Sequence, residues 1–154
     1  DATITACLIA EITLQQKKNN KTLLDLLYEI YNRFGLFKEA QQSVQFGTGQ
    51  QASECMKKAL LSLRKSPPKE IDNEEVILIE DYEKGGKLPP SNVLTFHLKD
   101  GSRFIIRPSG TEPKIKIYGM VTQKKFPSIE EGLKLCDEIL NRRLKKISQK
   151  LKSS

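Results

Sequence analysis

The chain has 154 residues, 38% of them hydrophobic, which suffices for one ordinary domain or for a small domain with part of a neighbour. No apolar run is long enough to span a membrane, since even the run at 6–12 contains Glu11, and no signal peptide is visible. Three scattered cysteines without a CxxC pair and a single histidine exclude a structural zinc site and favour free thiols in a reducing cytoplasm.

The net charge of +7 is unevenly distributed along the chain. The segment 134–152 carries seven basic and two acidic residues, whereas 70–83 carries seven acidic residues and no basic one. Such a basic segment suits nucleic-acid binding, but no aromatic residues interleave its lysines. We therefore interpret it as a solvated helix face and expect neither a nucleic acid nor a membrane as partner.

The first predicted elements are two helices. Residues 2–18 are apolar on nearly every side, with Asp1 as the candidate N-cap, which is typical of a helix inside a larger protein. Thr22 and Asp25 form a capping-box pattern before a second amphipathic helix that ends at Gly35. We interpret 1–37 as a helical hairpin from a preceding α/β domain, and a first residue other than Met points the same way.

From residue 38 onward the pattern changes to short strands and two longer helices. The predicted order is a strand at 43–46, a helix at 50–64, strands at 76–79, 92–98, 103–107 and 114–121 with a loop at 83–90, and a helix from about 128. Asp100-Gly101 predicts a tight hairpin whose register stays open. Residues 38–154 thus form an α+β domain, in which helices cover one face of an antiparallel sheet.

The most informative segment is Arg107-Pro-Ser-Gly-Thr-Glu-Pro-Lys114, between two predicted strands. Arg107 offers a planar guanidinium and Ser109 and Thr111 offer hydroxyls, while Gly110 is expected to adopt positive φ so that backbone amides converge. These groups together suit a phosphate dianion. The alternative is a tight turn in which the two hydroxyls bond the local backbone.

Three further charged residues surround this segment. Lys116 and Lys114 are predicted on one face of the last strand, where Lys116 adds positive charge to the phosphate site. Glu112 fits an anion site poorly, so it is expected either to pair with a lysine or to accept a hydrogen bond from a sugar hydroxyl. Lys114 and Glu112 are therefore secondary candidates.

Residues 107–118 resemble the C-terminal phosphate-binding motif of the α-D-phosphohexomutases, the phosphoglucomutase and phosphomannomutase group. Other stretches resemble segments of the same family: 67–71, 81–82, 88–94 and 100–102 before the motif, and 23–31 at the end of the third of four domains. The resemblance covers nearly the whole chain. It departs from the family at Ala2, where glycine is expected.

The resemblance implies a TATA-binding-protein-like fourth domain at 38–154, preceded by the tail of the third. It further implies that Arg107, Ser109, Gly110 and Thr111 hold the phosphate of a hexose phosphate or bisphosphate during interconversion of the 1- and 6-phosphates. The family's Ser-His-Asn-Pro nucleophile, Asp-rich Mg²⁺ loop and Gly-Glu-x-Ser sugar loop have no counterpart here. The chain alone is therefore expected to be inactive and to bind no metal, with the remaining domains of the same cytoplasmic protein as partners.

Two other interpretations stay open beside the mutase. One is a standalone basic module that binds nucleic acid or another anion, which predicts a steep salt dependence of oligonucleotide binding. The other is a purely structural interaction domain. His97 and Tyr118 receive no role, because either can line a cleft or face solvent from a strand.

Overall fold

The computed structural model describes residues 1–85 and 89–153, so the predicted loop at 83–90 and the segment at 88–94 lie partly outside the described residues. The elements are α1 (Ala2–Lys18), α2 (Leu23–Phe34), β1 (Leu36–Gln45), α3 (Gly49–Lys65), β2 (Glu70–Ile71), β3 (Glu74–Asp81), a 3₁₀ turn (Tyr82–Lys84), β4 (Leu94–Leu98), β5 (Arg103–Pro108), β6 (Lys114–Gln123) and α4 (Ile129–Lys152).

The N-terminal helices α1 and α2 form a hairpin that leaves its apolar residues exposed. The predicted capping box starts α2: Thr22 Oγ1 accepts from the Asp25 N–H at 3.1 Å, and Asp25 Oδ2 accepts from the Thr22 N–H at 2.7 Å. Asp1 occupies the N-cap position of α1, but its side chain makes no capping hydrogen bond within the described structure. Every residue of both helices is at least partly exposed, so the hairpin adds little to the core.

The six strands form one antiparallel sheet in the order β1-β6-β5-β4-β3-β2. The strand predicted at 43–46 is the end of the ten-residue β1, which pairs with β6 from Leu36 opposite Gln123 to Gln45 opposite Lys114. The two-residue β2 was not predicted. It pairs with β3 through a turn in which Asp72 and Asn73 have φ of 55° and 62°.

The β4–β5 hairpin confirms the turn predicted at Asp100-Gly101 and settles its register. Phe96 lies opposite Phe104, which leaves a three-residue loop of Lys99, Asp100 and Gly101. Gly101 has φ of 88°, as three-residue hairpin loops require near their last position. This register turns both phenylalanines toward the helices.

Helices α3 and α4 cover one face of the sheet, and the core lies beneath them. Fully buried apolar side chains come from β1, β4, β5 and β6 and from both helices: Leu36, Ala59, Leu63, Phe96, Phe104, Ile106, Ile115, Ile117, Val121 and Leu140. Burial of each large side chain contributes about 1.5–3 kcal/mol. We call the opposite face of the sheet the open face.

Charged residues of α4 hold two hairpin turns. Arg143 is 6% exposed, and its Nη1 donates to Ser102 Oγ and to Asp100 Oδ2, each at 2.7 Å. Asp72 pairs with Arg142 Nε at 3.0 Å and with Lys146 Nζ at 3.4 Å. The interpretation of the basic segment as a solvated helix face is therefore wrong for Arg143.

Candidate functional site

The candidate phosphate loop joins β5 to β6 and is pinned by backbone hydrogen bonds at both ends. The Ser109 N–H donates to the Lys114 carbonyl at 2.8 Å, and the Lys114 N–H donates to the Glu112 carbonyl at 2.7 Å. The Phe46 N–H, just past the end of β1, donates to the Pro113 carbonyl at 3.0 Å. The loop is thus fixed by the sheet on two sides.

Gly110 does not adopt the predicted conformation. Its φ is not positive, unlike that of Gly101, so the expectation that glycine is needed for a left-handed backbone is wrong. A Cβ added at Gly110 would meet no atom of the described residues within 4 Å. Neither conformation nor internal packing requires glycine here, and the space above this backbone is open.

The side chains of the loop are available to a ligand. Within residues 1–85 and 89–153, the Arg107 guanidinium and the hydroxyls of Ser109 and Thr111 form no hydrogen bond or ion pair. Arg107 and Thr111 are exposed, and Ser109 is half-buried. The alternative in which the two hydroxyls bond the local backbone is therefore not what the described structure contains.

The register of the sheet brings two cations together beside the loop. Arg107 on β5 lies directly opposite Lys116 on β6, and Ser43 on β1 lies opposite Lys116 from the other side. The alternate residues Ile106 and Ile117 are fully buried under the helices, so Arg107 and Lys116 share the open face. Directly opposed side chains on one face have Cβ atoms about 5 Å apart, close enough to bind one anion together.

Glu112 and Lys114 form an ion pair with each other. The hydrogen bond from Lys114, and then its charge, lower the pKa of the Glu112 carboxyl below its ordinary value. The pair supports the first of the two roles predicted for Glu112. Because it occupies Lys114, Lys116 is the better placed lysine for an anion.

A groove of about 920 Å³ borders the same loop on the side of α3. Its lining comes from four parts of the chain: Met56, Lys57, Leu60, Leu61 and Arg64 of α3, then Glu83, then Ser91–Val93, and finally Arg107–Gly110. Thr111 and Lys116 do not line it. The groove therefore brings together three of the five primary candidates.

Arg64 fixes one wall of this groove and was missed from the sequence. Its Nε donates to Asp81 Oδ1 at 3.2 Å, and its Nη2 donates to Asn92 Oδ1 at 2.7 Å. These partners lie 17 and 28 residues away along the chain, so no local pattern could have revealed the contact.

Neither a metal cluster nor a spanning helix was found in the part of the chain that the structure describes. Among residues 1–85 and 89–153, no three His, Cys, Asp or Glu side chains lie together as metal ligands. The Mg²⁺ that the resemblance implies for the full-length enzyme therefore has no fitting donor set among these residues. No helix of the same residues is long and apolar enough to cross a membrane.

The described residues define an α+β domain with two helices on one face of an antiparallel sheet, and comparison with known proteins indicates its family. Residues 55–124 match the family model described as "Phosphoglucomutase/phosphomannomutase, C-terminal domain". The resemblance predicted from the sequence is thus confirmed over residues 55–124 by the model of that family's C-terminal domain.

Individual relatives extend the match beyond these residues. The chain is 35% identical over 118 residues to a probable phosphomannomutase of Haemophilus influenzae, which covers 77% of this chain and 23% of the relative. It is 32% identical over 139 residues to a phosphoglucomutase of Staphylococcus haemolyticus, which covers 82% of this chain and 25% of the relative. The chain therefore spans about a quarter of the length of these curated relatives.

A solved structure shares the fold. The chain superposes with a TM-score of 0.59 and 20% identity on the open form of the Paramecium phosphoglucomutase pp63/parafusin, covering 92% of this chain and 25% of that one. The predicted α+β class, with helices on one face of an antiparallel sheet, is confirmed.

Proposed function

We propose that this chain is the phosphate-holding part of a phosphoglucomutase or phosphomannomutase. Arg107, Ser109, Gly110 and Thr111, with Lys116, grip the non-reacting phosphate of a hexose phosphate or bisphosphate. The observation that carries the proposal is that Arg107 lies directly opposite Lys116, beside the hydroxyls of a loop pinned by backbone hydrogen bonds. Neither the guanidinium nor these hydroxyls bond any group among residues 1–85 and 89–153. The relatives' names, each given to a protein of which this chain covers about a quarter, support the same assignment.

The energetics of such a grip follow from charge-assisted hydrogen bonds. Each bond from a cationic or hydroxyl donor to a phosphate dianion contributes roughly 1.5–3 kcal/mol before ordering costs. The backbone bonds at Ser109 and Lys114 fix the loop beforehand, so little further ordering is needed. The guanidinium of Arg107 binds two phosphate oxygens at once and therefore orients the ester as well as holding it.

The whole protein would act as an isomerase that moves a phosphoryl group between the 1- and 6-hydroxyls of a hexose. A phosphoserine of the first domain donates the group, and the resulting bisphosphate reorients and returns the other one. This chain contributes positioning, because a fixed grip on the remote phosphate aligns the reacting oxygen. With neither the nucleophile nor the Mg²⁺ loop in its sequence, it has no turnover alone and works with the remaining domains in the cytoplasm.

The test is Arg107→Ala in the full-length protein. We expect KM to rise and kcat/KM to fall by the equivalent of roughly 2–4 kcal/mol, because the phosphate loses its bidentate partner. Lys99→Ala removes an exposed cation at the β4–β5 turn and should leave both constants unchanged. Unaltered kinetics for Arg107→Ala would contradict the proposal, as would mutase turnover by the 154-residue chain itself.

A further inference from the structure

The open face carries three rows of directly opposed side chains across β1, β6 and β5. In the order β1, β6, β5, the rows are Ser43, Lys116 and Arg107; Gln41, Tyr118 and Ile105; and Glu39, Met120 and Arg103. Residues two apart on one strand are about 7 Å apart on the same face. The second row therefore lies about 7 Å from the row of Lys116 and Arg107, where we propose that the phosphate binds.

The second and third rows line a depression in the open face. Its volume is about 430 Å³, and all six of their side chains contribute to its lining. Pockets that hold small molecules have volumes of about 300–1,000 Å³. Half-buried Tyr118, Ile105 and Met120 form its apolar part, and exposed Gln41, Glu39 and Arg103 form its polar part.

The depression offers four polar groups to a ligand. Within the described ranges 1–85 and 89–153, the Gln41 amide, the Glu39 carboxylate, the Arg103 guanidinium and the Tyr118 hydroxyl form no hydrogen bond or ion pair. An amide, a carboxylate and a guanidinium are planar groups that donate to or accept from neighbouring hydroxyls in pairs. An aromatic ring beside them offers a flat surface to the C–H groups of a ring-shaped ligand.

We propose that the depression binds the hexose ring of the sugar phosphate whose phosphate is held by Arg107 and Lys116. Tyr118 contacts the face of the sugar, and Gln41 and Arg103 hydrogen-bond its hydroxyls. The inference rests on the proposed phosphate site, because the two are contiguous along β5 and β6. It assigns to this chain a part in recognising the sugar, in addition to the phosphate.

The experiment compares inorganic phosphate with glucose 1-phosphate on the 154-residue chain, by calorimetry and by amide chemical shifts. We expect both to shift residues 107–116 and only glucose 1-phosphate to shift Gln41, Ile105 and Tyr118. Glucose 1-phosphate should bind about five-fold more tightly than phosphate, a difference of roughly 1 kcal/mol.

Variants at Tyr118 test the sugar contact itself. Tyr118→Leu removes the ring and should abolish that five-fold preference while leaving the affinity for inorganic phosphate unchanged. Tyr118→Phe keeps the ring and should retain most of the preference. Phe37→Leu is the matched control, because Phe37 is an exposed aromatic residue of β1 on the same face, opposite Thr122 and outside the depression.

The outcomes separate the two proposals. Equal affinities for phosphate and glucose 1-phosphate, with shifts confined to 107–116, would overturn the sugar site and leave the phosphate site standing. Absence of any shift at 107–116, together with no effect of Arg107→Ala on binding, would remove the proposed function and the inference with it. If circular dichroism shows that Tyr118→Leu does not fold, the sugar site is tested instead by the chemical shifts of the unmodified chain and by the affinities of Tyr118→Phe.

Discussion

Neither the backbone conformation nor the packing of the described residues requires a glycine at position 110. A substitution of Gly110 therefore tests whether a ligand approaches the backbone there. Since its φ is not positive and a Cβ there has open space, Gly110→Ala should leave the thermal midpoint unchanged. The added methyl group would stand over the backbone that phosphate must approach. We expect the phosphate affinity measured by calorimetry to fall about ten-fold, or roughly 1.4 kcal/mol. An unchanged affinity would show that the anion does not approach Gly110.

Gly119 is the matched glycine, and it should behave in the opposite way. A Cβ on Gly119 would lie 2.7 Å from Leu140 Cδ1 and 2.7 Å from Phe104 Cε1, inside the core between β6 and α4. Gly119→Ala should therefore lower the free energy of unfolding in urea by about 1–3 kcal/mol. An alanine variant as stable as the parent chain would mean that the core beneath β6 yields more readily than its packing indicates.

Arg143 is a single residue that connects two elements, because its buried guanidinium holds the β4–β5 turn against α4. Its Nη1 contacts both Asp100 and Ser102 at 2.7 Å. Arg143→Met should lower the free energy of unfolding by about 2 kcal/mol, since it leaves the Asp100 carboxylate with the Ser102 N–H but without its cationic partner. Lys145→Met, at an exposed position of the same helix, should change it little. Equal effects of the two variants would contradict the clamp.

At the scale of elements, the β2–β3 turn is tied to α4 through a carboxylate whose charge depends on pH. Burial raises the pKa of Asp72, but hydrogen bonds and charges from Arg142 and Lys146 outweigh it and hold the pKa below the ordinary 3.8. A lowered folded-state pKa means that the contribution is complete above the unfolded value and is lost as pH falls through the folded one. The turn should therefore loosen from α4 in acid.

Asp72→Asn measures this contribution, because asparagine tolerates the positive φ of the turn. At pH 7 the variant should melt at a lower temperature than the parent chain, and the difference should shrink as the pH falls below 4. Thermal scans from pH 7 to pH 2.5 provide the measurement. A difference that stays constant over this range would show that the Asp72 charge does not stabilise the fold.

The elements differ in how far the sequence predicted them. β4, β5, β6 and α4 carry enough alternating or helically spaced apolar residues to be predicted with nearly their observed bounds. The first half of β1 was missed because 38–42 are mostly polar and become a strand only by pairing with β6. The two-residue β2 has no periodicity at all and depends on its turn and on α4.

The candidate site likewise has one part that the sequence predicted and another that only the fold reveals. Its loop is one continuous stretch of sequence, so Arg107, Ser109 and Thr111 could be proposed as candidates before the fold was known. The groove wall at Arg64 and the rows of the open face arise only when strands distant in sequence are brought into register. The conformation of Gly110 was predicted wrongly because a glycine in a turn can serve either backbone freedom or space for a ligand.

At the scale of the whole molecule, the hairpin α1–α2 stands apart from the core. Its exposed large apolar residues are Ile4, Leu8, Ile9, Leu14, Leu23, Leu24, Leu27, Tyr28, Ile30 and Phe34. An apolar surface of this kind typically marks an interface, and the remaining domains of the same protein are the proposed partner. The boundary expected at 37/38 would divide β1, whose first residue Leu36 is fully buried.

A chain that begins at Gly35 therefore tests the domain division, because it removes the hairpin and keeps β1 whole. We expect 35–154 to retain cooperative thermal unfolding within a few degrees of the parent chain, since Tyr31 is the one residue of the removed helices that packs against the core formed by the described residues. Its phosphate affinity, measured by calorimetry, should be unchanged. A chain that begins at residue 46 lacks β1 and should fail to fold, because the edge of β6 loses its partner along ten residues. Loss of cooperative unfolding in 35–154 would instead make the hairpin an integral part of this domain.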